Sequence, residues 1–141
     1  MSEIITDKLT GKTSAGDVTI TSEGGSATMQ LQQGVAKAWA NFQGNSTAVF
    51  RDGFNNSSLT DNGAGDYTVT FTNVMDNANH ANSGMVIAQS TSYLNGPMIG
   101  NSASYTMVSG SIRVTTNYAG SGASNREDRI YVNVTTHGDL A

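Results

Sequence analysis

The chain offers few residues that could do chemistry, and their contexts are informative. It has no cysteine, so there is no thiol nucleophile and no thiolate metal ligand. Its two histidines lie far apart, His80 within Asn77-Ala78-Asn79-His80-Ala81-Asn82 and His137 within Thr136-His137-Gly138-Asp139. Neither has a second histidine at metal-ligand spacing. His80 is a candidate ligand-contact residue, and His137 with Asp139 is half of an acid–base pair; the plainer reading of each is an exposed or turn histidine. Asp61-Asn62-Gly63-Ala64-Gly65-Asp66 places two carboxylates on a Gly-rich turn, hard oxygen donors of the kind calcium takes. The acidic residue that an EF-hand needs downstream is missing, and a hairpin connection into Tyr67 accounts for the same residues. Gly63-Ala64-Gly65 and Gly120-Ser121-Gly122 do not open a helix, so neither cradles a phosphate. No catalytic residue, no metal ligand and no cofactor site follows from these patterns.

Aromatic rings in polar loops are the other candidates. Tyr93 and Tyr118 lie at or beyond strand ends among Asn, Ser and Gly. A ring there can stack on a sugar while neighbouring amides and hydroxyls bond its hydroxyl groups; packing under a loop or along a subunit seam is the competing role. Tyr93, Tyr118 and His80 are therefore the expected ligand-contact positions, in loops spanning 77–82, 91–100 and 118–126. The sequons at Asn45, Asn55, Asn56 and Asn133 are what a chain so rich in Asn, Ser and Thr produces by chance.

The elements that must position these residues are strands. Helix signals are weak, Gly occurs 16 times, and β-branched residues are frequent. The pattern predicts strands over 17–21, 27–31, 35–42, 47–51, 66–73, 85–90, 102–108, 111–117 and 129–135, with 66–73 the cleanest alternation. Turn chemistry separates them, notably Asn62-Gly63 and Asn95-Gly96. Trp39, Phe42, Tyr67, Val69, Phe71, Ile112, Val114, Ile130, Val132 and Val134 are the large members of these runs and the expected core or trimer seam. Short strands separated by turns predict an all-β chain: an antiparallel β-sandwich, jelly-roll-like, over 34–141. Residues 1–33 contain no aromatic residue and few large apolar ones. Such a stretch buries too little apolar area to offset its ordering entropy. It reads as an extended β arm that anchors or trimerises the protein on a partner.

Composition excludes several classes. Only 13% of residues are charged, and the net charge is −4. A phosphate-tracking nucleic-acid binder and a polybasic membrane-surface protein both need clustered cations. No apolar run spans a bilayer, and the first 13 residues lack a signal-peptide core. The expected route is synthesis in a cytoplasm and release by lysis.

The stretch Ala36-Lys37-Ala38-Trp39-Ala40-Asn41-Phe42, running on through Gln43-Gly44-Asn45 to Phe50-Arg51-Asp52-Gly53-Phe54 and Ser58-Leu59-Thr60-Asp61, resembles a module of tailed-phage virion proteins, especially those of marine bacteria. These are fibre-like or tail-fibre proteins. The lead-in Ile4-Ile5-Thr6-Asp7-Lys8-Leu9-Thr10-Gly11 and the ending Val134-Thr135-Thr136-His137-Gly138-Asp139-Leu140-Ala141 are similar to the ends of such short chains. The resemblance implies a non-enzymatic homotrimeric fibre or projection in the virion. Its arm would bind other virion proteins of capsid or tail, and its sandwich would contact host-surface glycan. A capsid decoration or cement protein that stabilises the head shell is the alternative. A glycan-cleaving enzyme would need paired carboxylates across a groove, and Asp61, Asp66, Asp76 and Asp128 are scattered among turns.

Overall fold

The computed structural model describes residues 3–14, 17–87, 98–100, 105–117 and 126–141. The chain divides into two units, Met1–Val35 and Ala36–Ala141.

The first unit contains one small hairpin. Strands β1 (Thr19–Thr21) and β2 (Thr28–Gln30) pair antiparallel, with Ile20 opposite Met29. Gly25, at φ 74°, supplies the left-handed turn residue that a side chain resists, and its N–H donates to the Ser22 carbonyl at 2.8 Å. A single 3-10 turn, Leu31–Gly34, follows. No described residue of this unit is buried.

The second unit is a sandwich of two four-stranded antiparallel sheets. One holds β3 (Ala38–Gln43), β4 (Val49–Phe54), β7 (Ala81–Ile87) and β10 (Tyr131–His137), in the order β4-β3-β10-β7. The other holds β5 (Asn56–Gly63), β6 (Asp66–Phe71), β8 (Met98–Gly100) and β9 (Ser111–Asn117), in the order β5-β6-β9-β8. Eight strands in two sheets is the jelly-roll count. The order here is rich in hairpins: β3–β4, β5–β6 and β8–β9 are neighbours both in sequence and in a sheet. The all-β sandwich expected from the strand pattern is thus the fold.

The core lies between the sheets and follows from alternation. Ala38, Ala40 and Phe42 of β3, Val132 and Val134 of β10 and Val86 of β7 face Tyr67, Val69 and Phe71 of β6 and Ile112 and Val114 of β9. Phe42 meets Tyr67 edge to face across the two sheets, with ring centroids 5.2 Å apart. Gly44 makes room for that ring, since a Cβ there would lie 2.3 Å from the Tyr67 hydroxyl. The crossing from β4 to β5 turns on Asn55, whose φ of 60° is left-handed. Its Nδ2 donates to the Lys37 and Asn73 carbonyls, and its Oδ1 accepts from Asn73 N–H, so the side chain fastens the corner it forms.

Several expectations need correction. Residues 56–63, given no strand and with Asn62-Gly63 read as a turn, form the edge strand β5; of them Leu59 packs toward the core, and two register shifts break the alternation. Asp52-Gly53, read as closing a strand, lies inside β4. Of the strand expected over 102–108, residues 105–107 are irregular, and 101–104 lie outside the described residues. Trp39 lies on the opposite side of β3 from Phe42 and is 39% exposed. Ile130 precedes β10 and is half-buried, outside the core cluster.

Candidate interaction surface

Three features stand out from the sandwich framework: an ion-pair cluster at one end, a packed histidine, and surfaces whose apolar side chains face outward. The ion-pair cluster begins where β6 leaves its hairpin. Asp66 is buried, and Arg113 of β9 grips it bidentately, Nε to Oδ1 at 2.7 Å and Nη2 to Oδ2 at 2.8 Å. Arg126 donates to the same carboxylate. The Arg113 hydrogen bonds hold the Asp66 carboxyl below the usual carboxylate range despite its burial. Next to it, Asp128 Oδ1 accepts from the Tyr67 hydroxyl at 2.6 Å and from Gly65 N–H at 2.7 Å. Burial, reinforced by Asp128, pushes the Tyr67 phenol well up. Thr116 Oγ1 donates to the Glu127 carbonyl at 2.5 Å. These bonds fasten residues 126–128 against the ends of β6 and β9. The arrangement consumes its charges internally. Asp61 is occupied too, its Oδ1 accepting from Gly63 N–H at 2.9 Å, so the Asp61–Asp66 stretch is the β5–β6 connection. Among the described residues no group of three or more His, Asp or Glu side chains converges on one point.

His80 is neither exposed nor loosely held. It is buried, and its ring meets Phe71 edge to face at 6.0 Å. Nε2 lies 3.0 Å from the Val108 carbonyl, and Nδ1 lies 3.1 Å from Asn82 Nδ2. Thr136 Oγ1 donates to Asn82 Oδ1 at 2.8 Å, which turns the amide so that its NH₂ faces the imidazole. The ring donates from Nε2 to the Val108 carbonyl while Nδ1 lies against the Asn82 amide, tying the entry to β7 to the turn before β9 and, through Asn82, to β10. Both its nitrogens are engaged within the chain. His137 ends β10 opposite Ala81, and the Asp139 carbonyl accepts from Asp76 N–H. Tyr93 and Tyr118 lie outside the described residues.

The outward-facing apolar side chains were not singled out as a site from the sequence. Along the arm Ile4 is 86% exposed and Ile5 87%, and Leu9, Ile20, Met29 and Val35 are also exposed. On the sandwich, the outer face of β4-β3-β10-β7 carries Trp39, Val49, Phe54, Met85, Ile87 and Tyr131, all exposed. Register places Trp39 directly beside Phe54, and Tyr131 directly beside Ile87. A two-residue ladder of amides, Asn41 Nδ2 to Asn133 Oδ1 at 2.5 Å, runs between them. Arg51 lies over the Tyr131 ring, 4.5 Å from its centroid, and donates to Gln43 Oε1. The alternation that placed these residues was readable, but which phase of it faced inward was not.

Among the described residues no helix is long and apolar enough to cross a membrane. Comparison with protein-family models finds no match, and comparisons with curated proteins and with solved structures find none either.

Proposed function

We propose that this protein is a non-enzymatic structural subunit of a tailed-phage virion. In this reading it is a short homotrimeric fibre or projection, anchored through its N-terminal arm and displaying the sandwich for contact with host-surface glycan. The observation that carries the reading is the state of the arm: Ile4, Ile5, Leu9, Ile20 and Met29 are exposed, and none of its described residues is buried. Exposed side chains of that kind gain stability by seating on a partner, and backbone outside the β1–β2 hairpin can pair with it. Ile4, Ile5 and Leu9 are the side chains such a partner would cover. The sandwich supports the rest of the reading by what its polar groups do. Asp66, Asp128 and His80 are tied into hydrogen bonds that hold strands together, which suits a durable scaffold. The resemblance to fibre-like virion proteins supplies the setting.

Removal of residues 1–33 tests the assignment. The truncated protein is expected to keep its strand-rich circular dichroism and to fail to load onto particles. Loading without the arm would overturn the anchoring role. Copy number per particle separates the two virion positions, because a shell-stabilising protein is present in far more copies than a fibre.

A further inference from the structure

A sandwich that works alone keeps polar residues on both outer faces, because alternation sends the apolar set inward. The described outer face of β5, β6 and β9 obeys that rule. On β5, β6 and β9 the outward rows are Ser58-Thr70-Ser111 and Thr60-Thr68-Arg113. The outer face of β4-β3-β10-β7 does not obey it. Trp39, Val49, Phe54, Met85, Ile87 and Tyr131 are between 39% and 62% exposed there. Taking roughly 150–250 Å² for the full surface of a large side chain, these six together expose on the order of 600 Å², spread over one face and divided by the Asn41–Asn133 pair. The largest single apolar patch on a monomer is about 300–600 Å². With the intervening Asn41, Gln43, Asn133 and Thr135 the face approaches the roughly 800 Å² that each partner contributes to a stable interface.

We infer that this face is the seam through which copies of the chain pack against one another. The inference rests on the homo-oligomeric reading above and adds where the sandwiches meet. Charge points to a second copy. Within these four strands the only Asp, Glu, Lys or Arg residues are Arg51 and Asp52, neighbours of opposite sign. In a chain of net charge −4, this face sums to zero. Copies can approach through it without the repulsion the rest of the surface imposes, and Arg51 of one copy can find Asp52 of the next. The face is less suited to a glycan, which stacks on free rings: Arg51 already covers one side of Tyr131.

The chain carries its own reporter, since Trp39 is the sole tryptophan and sits on this face. Sedimentation velocity and acrylamide quenching of Trp39 would be followed together on the full-length protein through a dilution series. The expected result is a trimer in which Trp39 is several-fold less quenched than in the dilute monomer, the two signals changing together. The double variant Phe54→Lys/Met85→Lys alters two positions that are 54% and 62% exposed, so its melting temperature is expected to stay close to that of the parent. Its association is expected to weaken by about tenfold or more. Thr60→Lys/Thr68→Lys on the opposite face is the control and is expected to leave assembly unchanged. A trimer in which Trp39 stays fully quenchable, or one that the Lys pair at 54 and 85 leaves intact, overturns the seam while the trimer reading survives. A monomer at every concentration overturns both. A monomer with Trp39 protected at all dilutions overturns the seam and identifies a segment of the same chain as the cover.

Discussion

The two outer faces of the sandwich are built from the same strand chemistry and come out opposite in character. On the β5-β6-β9 side, Thr60, Thr68, Thr70 and Arg113 meet solvent with hydroxyls and a guanidinium, and Asn62 Nδ2 bonds Thr68 Oγ1 at 2.9 Å. On the β4-β3-β10-β7 side, Trp39 stands beside Phe54 and Ile87 beside Tyr131, with the Asn41–Asn133 amide pair between them. Both faces enclose the same core, so the difference is not needed for folding of one copy. If a second copy covers that face, as inferred above, each Å² of apolar area buried contributes roughly 25 cal/mol to assembly.

The comparison can be broken most forcefully from inside. Phe71 is almost fully buried between the sheets, whereas Thr70 beside it points outward. Phe71→Ala is expected to cost roughly 3–5 kcal/mol in denaturant unfolding, against less than about 0.5 kcal/mol for Thr70→Ala. Equal costs would mean that the faces have been assigned the wrong way round.

Asp66→Asn removes the anion that Arg113 and Arg126 share at the polar end, and is expected to cost about 3 kcal/mol. The arginines keep partial access to water, which places the effect at the low end for a broken buried pair. The same group sets an acid limit. Its folded pKa lies below the unfolded value of 3.8, so its contribution is complete above that value. As pH falls through the folded pKa the contribution is lost. Tyr67 sets the alkaline counterpart. Its folded pKa is raised, so its contribution is complete below the unfolded value of 10.0 and is lost as pH rises through the folded value. Thermal melts from pH 2 to pH 5 are expected to lose their steepest acid dependence in Asp66→Asn. An unchanged acid profile would remove Asp66 from the account.

Trp39→Ala sharpens the comparison at the outer face. Unfolding of the dissociated chain is expected to change by about 1 kcal/mol or less, since the ring is 39% exposed. Association, read by sedimentation, is expected to weaken far more. A loss of 3 kcal/mol or more in the monomer would show that Trp39 belongs to the core. The smallest effect on folding is expected in the arm. Ile4→Ser/Ile5→Ser changes two side chains that are 86% and 87% exposed, and the melting of the sandwich should not move. Only loading onto a partner should fall, as a particle-binding assay would show.

The parts of the fold that could be read from the chain are those where one face of a strand is apolar and the other polar. β6, read as Asp66-Tyr67-Thr68-Val69-Thr70-Phe71, and β9, with Ile112 and Val114, carry that signal without ambiguity. β5 carries almost none. It is an edge strand with one inward side chain, Leu59, and two bulges, so polarity marked it as loop. His80 failed for the opposite reason. Its neighbours in sequence are Asn and Ala, typical of an exposed turn, while the Val108 carbonyl and the Phe71 ring that hold it are not local to that stretch.

Sequence alone determined that this chain is β-rich, divided into an aromatic-free arm and an aromatic-bearing body, and without cysteine. Those conclusions depend on residue type and on period two, which are local properties. The tertiary structure alone decided which phase of each alternation faces inward. In β3 both phases hold a large ring, Trp39 on one side and Phe42 on the other, and neither composition nor period distinguishes them. The choice is made by the opposite sheet, where Tyr67 offers Phe42 an edge and Gly44 leaves the space for it. Trp39 is then left on the outside, beside Phe54, because it lies in the phase of β3 opposite to that of Ala38, Ala40 and Phe42.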